Sequence, residues 1–383
     1  MRVLGIIVEY NPFHNGHIHH IQKAKSITQC DYIIAVMSSS FVQRGEPAII
    51  DKWQRARLAI EYGVDLVIEL PFVYACQSAD YFSRGALSLL NAIGVTDICF
   101  GSEDGNIETF LKIANAIELN KDEYNQYVRS FMQEGLRYPD ACNKALQIIV
   151  KQDIRTPNDL LGLGYVKEIV SNHYPITPHC FKRTNDYHSQ TIQTVASASA
   201  IRKAISTNQD YANALPQPEL YQEETYFLNN FFTYLKYQIL LTPTTTLSQY
   251  HLVEEGLENV MKNEIEKATS TEEFIHALLS KRYTRPRIQR MLIHVLMKNT
   301  KEDIQNAMNI DYLRILAMSQ NGRQYLNSIK KNCPFQLITR FNAYQHPALD
   351  IEFKATKLLS LISSDSLLTI KKEYCNIPYI KED

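Results

Sequence analysis

A short apolar segment near the start of the chain constrains the fold more than any other feature. Residues Val3–Val8 are a run of apolar, largely β-branched side chains, typical of a strand buried on both faces of a sheet. Asn11-Pro12 ends the run, and His14-Asn15-Gly16-His17 leads into a helical pattern over Ile18–Ser26. A strand that passes through a glycine turn into a helix indicates a phosphate site, because the first N–H groups of a helix are unpaired and its dipole favours anions.

His14 and His17 are the candidate catalytic residues of this turn. Imidazoles placed there could donate hydrogen bonds to a nucleoside triphosphate and stabilise the departing pyrophosphate. The pattern resembles the signature of the HxGH nucleotidyltransferases, which attack ATP or CTP at the α-phosphate. His19 and His20 extend the run, and His20 lies three residues from His17 on the same helix face.

Strands and helices alternate over the first hundred residues. The predicted strands are Val3–Val8, Tyr32–Met37, Leu66–Leu70 and Asp97–Phe100. The predicted helices between them are Ile18–Ser26, Lys52–Tyr62 and Tyr81–Ala92. This order predicts an α/β fold with a Rossmann-like parallel sheet covered on both faces. Ligands bind beyond the carboxyl ends of such strands, where Glu9–His17, Ser38–Gly45, Pro71 and Gly101–Glu103 lie.

The character of the chain changes towards its second half. Further predicted helices are Ile107–Glu118, Tyr124–Glu134, Ala141–Lys151, Pro157–Val170 and Ala200–Ile205, with a strand over Pro175–Lys182. From about residue 211 the pattern is helical, with few glycines and no strand–helix alternation. Pro216 and Pro218 lie in a polar patch close to this change. We therefore predict a nucleotidyltransferase domain over residues 1–210 and an all-helical domain over 211–383.

Composition excludes several classes of protein. The formal net charge of −1 does not by itself predict a polyanionic partner. Seven scattered cysteines without a CxxC pair favour reduced thiols over a disulfide framework or a zinc site, as expected of a cytoplasmic protein. We expect no membrane partner, because no signal peptide is recognisable and no apolar run approaches the ~20 residues that span a bilayer.

A second candidate phosphate site is the segment Ser197–Arg202. It places hydroxyl groups at the start of a helix and an arginine one turn inside it, an arrangement that suits an anion. It resembles the ISSTxxR-like element of the HxGH superfamily, with Ser199 in place of the usual threonine. Ser199 and Arg202 are therefore candidate ATP ligands. Gly101 ends a strand and could permit close approach of a ribose or base.

Longer motifs make the resemblance more specific. The chain is similar over essentially its whole length to the bacterial tRNA(Met) cytidine acetate ligase family. The motifs that carry this similarity are Glu9–His17, Ser40–Ala48, Asp51–Trp53, Pro157–Leu161, Lys182-Arg183 and Lys281–Arg285. The resemblance implies that acetate and ATP form acetyl-adenylate with release of pyrophosphate. The acetyl group then passes to N4 of the wobble cytidine in elongator tRNA(Met).

The resemblance also implies an ATP site. Its residues are Ile7, Val8, Glu9, Tyr10, Asn11, Pro12, Phe13, His14, Asn15, Gly16, His17, Ile18, His19, His20, Gly101, Asn158 and Arg183. Asn158 could recognise polar edges of ribose or adenine, and Arg183 could neutralise phosphate. Mg²⁺ could bridge phosphate oxygens, but no acidic cluster of magnesium-site type stands out, and no metal ligands are predicted.

A basic stretch in the second half is the candidate tRNA-binding surface. No acid occurs over Leu278–Lys301, and its candidate RNA contacts are Lys281, Arg282, Arg285, Arg287 and Arg290. Basic side chains contact phosphates, and an aromatic residue such as Tyr283 can stack on unpaired bases. Gln43 and Arg44 follow the second strand and could contact acetate or the cytidine from the crevice.

Two other functions remain open on the sequence. A small-molecule adenylyl- or cytidylyltransferase would leave the helical second part and its basic stretch without a task. A non-catalytic RNA-binding protein could keep a nucleotide-binding fold without the chemistry. The sequence leaves open the oligomeric state and the group that takes the proton of the cytidine amine.

Overall fold

One mixed sheet forms the centre of the molecule. The computed structural model describes residues 1–183 and 196–382. The strands are β1 (Val3–Val8), β2 (Tyr32–Ser38), β3 (Leu66–Leu70), β4 (Asp97–Ser102), β5 (Thr177–Lys182), β6 (Tyr312–Met318), β7 (Gln336–Ile338) and β8 (Tyr379–Ile380). Their order is β5-β4-β1-β2-β3-β6-β7, and β8 also pairs with β6. Strands β1 to β5 are parallel, whereas β6 runs antiparallel to β3.

Helices surround this sheet and make up most of the second half. In the first half they are α1 (Asn15–Thr28), α2 (Lys52–Glu61), α3 (Phe72–Ala75), α4 (Ala79–Ala92), α5 (Ile107–Leu119), α6 (Lys121–Gln133), α7 (Tyr138–Ile149), α8 (Pro157–Asn172) and α9 (Ala198–Ser206). Those that follow are α10 (Leu220–Glu223), α11 (Phe232–Leu241), α12 (Thr244–Leu247), α13 (Leu257–Lys267), α14 (Thr271–Leu278), α15 (Arg285–Met297), α16 (Lys301–Ala307), α17 (Gln320–Ile329), α18 (Pro347–Ser360) and α19 (Ser366–Cys375). Among the described residues, none of these helices has both the length and the apolar character needed to cross a membrane.

The sheet is covered on both faces, as the apolar strands predicted. Alternate residues of β2 belong to two separate apolar cores, with Ile34 and Val36 in one and Ile33, Ala35 and Met37 in the other. Side chains alternate between the two faces of a strand, so a strand buried on both sides has no polar face. The predicted α/β fold is therefore confirmed.

The predicted elements of the first half lie close to the observed ones. Strands β1 and β3 have the predicted bounds, and the ends of the other predicted strands and helices differ by at most three residues. The largest differences lie at helix starts such as Asn15, because the first turn of α1 contains polar and glycine residues that do not follow an apolar period. Capping, which the apolar period does not report, fixes where such a helix begins.

The second half is mostly helical, but it differs from the all-helical prediction by three strands. Strand β6 has the sequence Tyr-Leu-Arg-Ile-Leu-Ala-Met and is buried along its whole length. Seven residues of this kind are as compatible with a buried helical turn as with a strand, and the charged Arg314 in their middle is unusual for a sheet interior. The domain boundary at residue 210 stays a prediction, and the sheet contains strands from both sides of it.

The strand order creates a crevice next to β1. The chain adds β2 and β3 on one side of β1 and then returns to place β4 on the other side. Such a reversal separates the connections that leave the carboxyl ends of the two neighbouring strands, and ligands bind in the gap. The histidine turn follows β1 and therefore lies beside this gap.

A buried charge cluster joins the two halves of the chain. It consists of Lys52 on α2, Glu69 on β3, Arg314 on β6, Glu352 on α18 and Glu373 on α19, all at most 2% exposed. The Lys52 ammonium lies 2.5 Å from Glu69, 3.2 Å from Glu352 and 2.9 Å from Glu373. Arg314 lies 3.0 Å from Glu69 and also binds Glu373.

Paired charges explain why this cluster can be buried. Glu352 also accepts a hydrogen bond from the Phe72 N–H (2.8 Å), and Glu373 accepts one from the Thr356 hydroxyl (3.0 Å). Burial and the neighbouring Glu69 raise the pKa of Glu352, whereas Arg314 and Lys52 lower that of Glu373 against the effect of its burial. The three carboxylates could surround a metal ion, but the Lys52 ammonium already binds all three.

We expect Lys52→Met to lower the free energy of unfolding by about 3–5 kcal/mol, because it leaves three buried carboxylates facing only Arg314. Lys372→Met is the matched control, since Lys372 pairs with Asp51 at 2.7 Å while its side chain remains 35% exposed. An exposed pair contributes at most about 1 kcal/mol. Chemical unfolding followed by circular dichroism measures both variants, and equal losses would contradict a large contribution of the buried cluster to stability.

Candidate active site

A cavity of ≈ 400 Å³ lies at the carboxyl ends of β1 and β4. Its wall includes the N-terminal turns of α1, α8 and α9 and the loop over residues 42–46. Three helix N-termini beside one space make it favourable for an anion, because unpaired N–H groups and helix dipoles act together there. A volume of this size is typical of small-molecule sites.

Most of the predicted ATP residues line this cavity. They are Ile7, Val8, Glu9, Tyr10, Asn11, His14, Gly16, His17, His19, His20, Gly101, Asn158, Arg183, Ser199 and Arg202. Pro12, Phe13, Asn15 and Ile18 lie outside the lining. Phe13 packs against Tyr62, with ring centroids 5.4 Å apart, and Asn15 donates to the Asn213 carbonyl at 3.0 Å, so these two contribute to packing around the turn.

The two motif histidines cap helix α1 reciprocally. Nδ1 of His14 accepts a hydrogen bond from the Gly16 N–H at 3.0 Å, and Nδ1 of His17 accepts one from the His14 N–H at 3.2 Å. This is a capping box in which imidazoles replace the usual serine and glutamate. The sequence therefore uses the same two side chains to begin the helix and to line the cavity.

The cap also fixes the tautomer of each ring. A neutral imidazole that accepts a hydrogen bond at Nδ1 must carry its proton on Nε2. Burial lowers the pKa of His14 to about 3 and that of His17 well below its ordinary value, and the nearby Arg183 lowers both further. His14 and His17 are therefore neutral Nε2–H donors in the wall of the cavity.

His20 has the opposite arrangement. Its Nε2 lies 3.1 Å from the Cys99 carbonyl oxygen, so the neutral ring donates through Nε2 and leaves Nδ1 as an acceptor. The ring packs beside Phe181, with centroids 5.3 Å apart, and burial lowers its pKa to about 4. His19, at the preceding helical position, is exposed, although it also borders the cavity.

Arg55 holds the histidine turn in place, and the sequence analysis did not identify it. Its guanidinium is fully buried and donates to the carbonyl groups of Glu9 (2.7 Å), Ser38 (2.9 Å), Ser39 and Ile50 (3.2 Å). The first three carbonyls lie at or just beyond the carboxyl ends of β1 and β2, and that of Ile50 lies just before α2. The signal in the sequence is an arginine three residues before Leu58, on the apolar face of α2.

The turn itself has an unusual backbone. Tyr10 has φ +51°, and the Asn11-Pro12 peptide is cis. The Asn11 side-chain oxygen accepts from the Ile49 N–H at 2.8 Å, and its carbonyl accepts from Arg202 at 2.8 Å. Tyr10 then packs its ring edge-on against His17 at 4.9 Å, which leaves the imidazole little room to rotate.

The serine–arginine segment meets the turn from the other side of the cavity. Ser197 caps α9 by accepting from the Ala200 N–H at 3.3 Å, and its hydroxyl lies 3.2 Å from that of Ser199. Besides binding the Asn11 carbonyl, Arg202 forms an ion pair with Glu46 at 3.2 Å. Arg202 therefore positions the turn and the loop over residues 42–46. Its role as a phosphate ligand of ATP stays a prediction.

Asp159 organises the edge formed by β4 and α8. One carboxylate oxygen accepts from the Ser102 hydroxyl at 2.6 Å and the Glu103 N–H at 3.0 Å, and the other accepts from the Thr156 hydroxyl at 2.6 Å. Glu103 in turn accepts from the Asn158 amide at 2.5 Å. These contacts orient the Asn158 side chain in the cavity wall. Asp159 was visible in the sequence only as part of the motif Pro157–Leu161.

Gly101 makes room for a side chain. A Cβ at this position would lie 3.0 Å from Cγ of Arg183. The glycine thus lets the Arg183 stem pass over the end of β4 into the cavity wall. The expected close approach of a ribose or base at Gly101 stays a prediction.

The loop over residues 42–46 connects the cavity to α15. The Gln43 N–H donates to the Glu9 carboxylate at 2.8 Å, and the Gln43 carbonyl accepts from Arg290 at 3.0 Å. Gln289 donates to Glu46 at 3.2 Å. Gly45 has φ +76°, and a Cβ there would lie 2.2 Å from the Arg290 backbone nitrogen, so only glycine permits this contact.

The predicted RNA contacts divide into exposed and buried groups. Arg282, Arg285 and Arg287 pair with Glu255 (2.7 Å), Glu272 and Glu254 (2.8 Å), respectively. Acidic residues outside the basic stretch thus pair with its arginines, although the stretch contains no acid of its own. Lys281 is exposed beside them. Arg290 is 8% exposed and binds the Gln43 loop, so its place differs from the surface position that the sequence predicted.

Comparisons with known proteins identify the family of this chain. A family model described as HIGH Nucleotidyl Transferase matches residues 1–373. The tRNA(Met) cytidine acetate ligase of Geobacillus sp. (strain WCH70) is 39% identical to this chain, and the alignment covers 100% of each of the two chains. That of Bacillus subtilis (strain 168) is also 39% identical and covers 96% of this chain and 94% of its own.

A solved structure extends the likeness to three dimensions. The crystal structure of Thermotoga maritima TmcAL bound with alpha-thio ATP superposes with a TM-score of 0.89, at 30% identity and over 99% of each chain. The sequence motifs, the fold and the capped histidine turn thus agree with one another. The chain belongs to the HIGH nucleotidyl transferase family and, within it, to the tRNA(Met) cytidine acetate ligases.

Proposed function

We propose that this chain acetylates N4 of the wobble cytidine in elongator tRNA(Met), with acetate and ATP as co-substrates. The observation that carries the proposal is the reciprocal cap, which presents two neutral Nε2–H donors in a cavity bordered by three helix N-termini. Such donors suit an activation step in which negative charge moves onto a departing pyrophosphate. The relatives named above add the acetate and the tRNA. ATP and tRNA are cytoplasmic substrates, and we place the reaction in the cytoplasm.

In the first step an acetate oxygen attacks the α-phosphorus of ATP, and the bond from that phosphorus to the bridging oxygen of pyrophosphate breaks. We assign His14 and His17 to the phosphates that leave, because their fixed tautomers require no reorganisation as charge develops. Arg183 and Arg44 border the same space and supply positive charge there. Asn158, oriented by Glu103, is assigned to polar edges of the nucleoside.

The cavity does not provide a carboxylate cage for Mg²⁺. Among the described residues, its acidic side chains are Glu9 and Glu46, and Glu46 is already paired with Arg202. Mg²⁺ usually binds through one or two carboxylates and the phosphates of a substrate rather than in an all-protein cage. A metal that arrives with ATP therefore stays a prediction, and the roles assigned to the residues above do not depend on it.

In the second step the cytidine amine attacks the acetyl carbonyl, and AMP leaves. An unpaired anticodon loop can present its bases singly to a cavity, which a duplex cannot. We assign the basic stretch around Lys281 to phosphate contacts, and the loop over residues 42–46 links this region to the cavity through Arg290.

The direct test incubates the purified chain with radiolabelled acetate, ATP and tRNA, followed by nucleoside mass spectrometry. We expect one acetyl group on the wobble cytidine of elongator tRNA(Met), with AMP and pyrophosphate released. Label confined to a small adenylate would contradict the assigned acceptor, and no label would contradict the enzymatic activity.

We expect His17→Ala to lower acetate-dependent release of pyrophosphate from ATP by about 10²–10³, the usual loss when one preorganised donor is removed. His276→Ala is the matched control, because His276 lies exposed in the last turn of α14. Circular dichroism checks that both variants fold. Release at the wild-type rate by the His17 variant would overturn its assignment.

The tautomers give a prediction that requires no substrate. Since burial lowers the pKa of His14 to about 3, its ring should remain neutral with the proton on Nε2 from pH 8 down to pH 5. Two-bond ¹⁵N–¹H correlation spectra of protein labelled at histidine should show this pattern for His14 and for His17. A charged ring, or a proton on Nδ1 at neutral pH, would show that the reciprocal cap is not present in solution.

We expect the double variant Lys281→Ala, Arg282→Ala to raise the KM for tRNA while leaving tRNA-independent pyrophosphate release near the wild-type rate. Each lost phosphate contact should reduce the slope of log affinity against log salt by about 1. Lys330→Ala, Lys331→Ala, at the exposed end of α17, is a control of equal charge. An unchanged salt slope in the first variant would place the RNA surface elsewhere.

A further inference from the structure

Glu9 occupies a distinctive place in the cavity. It directly follows β1, so its side chain lies in the cavity wall a few residues ahead of the histidine turn. One carboxylate oxygen accepts the Gln43 N–H at 2.8 Å. Within residues 1–183 and 196–382, the other oxygen has no hydrogen-bond donor. This carboxylate is therefore held by one contact and keeps an acceptor site beside the cavity.

The charges around Glu9 are already committed to other partners. Arg55 donates to four backbone carbonyls, including that of Glu9 itself. Arg202 binds Glu46 and the Asn11 carbonyl. These two cations and the exposed Arg44 are near enough to favour the ionised form, whereas burial raises the pKa of the carboxyl more strongly. The result is a carboxylate that is more basic than usual.

Apart from His20, whose Nδ1 keeps an acceptor position, the other polar groups near Glu9 are poorly suited to accept a proton. His14 and His17 use Nδ1 in the helix cap and already carry a proton on Nε2. Glu46 is neutralised by Arg202. Cys76 and Tyr165 also interact electrostatically with Glu9. Burial raises the pKa of the Cys76 thiol to about 12 and raises that of the Tyr165 hydroxyl as well, so both groups keep their own protons at neutral pH.

The position of Glu9 also matches the side from which the tRNA would arrive. The same Gln43 peptide that donates to Glu9 accepts a hydrogen bond from Arg290 of α15 through its carbonyl. Helix α15 begins at Arg285, within the basic stretch assigned to RNA. A base delivered along this face reaches the cavity wall at the loop that binds Glu9.

We propose that Glu9 is the general base of acetyl transfer, an inference that rests on the proposed function. The amine nitrogen of cytidine forms a bond to the acetyl carbon as the bond from that carbon to the phosphate oxygen breaks. The electron pair of the broken bond leaves with AMP. The proton lost by the amine passes to the second oxygen of Glu9, which later releases it to solvent. Glu9 has no proton to move in the first step, where acetate is already an anion.

Glu9→Gln separates the two steps, because glutamine keeps a side-chain oxygen for the Gln43 N–H but cannot take up the proton. The first step is measured as acetate-dependent exchange of labelled pyrophosphate into ATP, without tRNA. The second is measured in single turnovers with synthetic acetyl-adenylate and elongator tRNA(Met). We expect transfer to fall by about 10²–10⁴, the usual contribution of a general base, and to fall at least tenfold more than exchange.

The pH profile provides an independent readout. Wild-type transfer should decline as the pH falls through the raised pKa of Glu9, because the protonated carboxyl is no longer a base, and this limb should be absent in Glu9→Gln. Glu9→Asp restores a carboxylate one methylene shorter and should recover part of the transfer rate. His20→Asn is the rival variant, since His20 keeps Nδ1 as an acceptor.

The outcomes distinguish the inference from the function on which it rests. Equal losses of exchange and transfer in Glu9→Gln would make Glu9 a positioning residue and overturn the inference. Unaltered transfer, or a pH limb that disappears in His20→Asn instead, would overturn it as well. A wild-type protein that makes acetyl-adenylate but transfers nothing to tRNA would overturn the proposed function itself.

Discussion

The site depends on one buried guanidinium. Arg55 donates to backbone carbonyls just beyond two parallel strands and just before α2, at the edge of the sheet where carbonyl groups have no further partners in the ladder. Without such a donor these carbonyls would be buried and unpaired, at a cost of about 1–3 kcal/mol each. Burial lowers the pKa of Arg55 only to about 10, so it stays charged at neutral pH. Its four contacts bring the end of β1, the start of the loop after β2 and the cap of α2 into one rigid unit.

The catalytic role proposed for His14 and His17 depends on this support. A capping box ordinarily stabilises a helix by satisfying two of its first N–H groups; here it also decides which nitrogen of each ring carries the proton. Arg55 fixes the backbone ahead of the turn, Arg202 binds the carbonyl at its middle, and Tyr10 packs against the ring of His17. Preorganised donors stabilise developing charge better than mobile ones because no reorganisation accompanies the reaction. Local helix energetics and cavity chemistry are thus properties of the same two side chains.

This dependence explains how much could be predicted from the sequence. Apolar runs and glycine turns report local preferences, and they predicted the strands of the first half and the cavity edge at Glu9–His17. Arg55, Glu103 and Asp159 act through contacts between segments far apart in the chain, and their residue types alone carry no sign of a site. The same limit applies to β6, because its central Arg314 is buried in the sheet only with Glu69 and Glu373 beside it. The basic stretch over Leu278–Lys301 shows the converse case, since acids that neutralise its arginines come from outside it in the sequence.

The loop over residues 42–46 physically connects the cavity to the second half of the chain. The Gln43 N–H donates to the Glu9 carboxylate, and the Gln43 carbonyl accepts from Arg290 of α15. Gly45 allows this loop to lie directly on the backbone of α15, so a shift of that helix must move the loop. Contacts of RNA with the start of α15 would therefore act on the position of Glu9 through two hydrogen bonds. In the proposed mechanism the activation of acetate uses the histidine turn, so adenylate formation would not depend on this path, whereas acetyl transfer would.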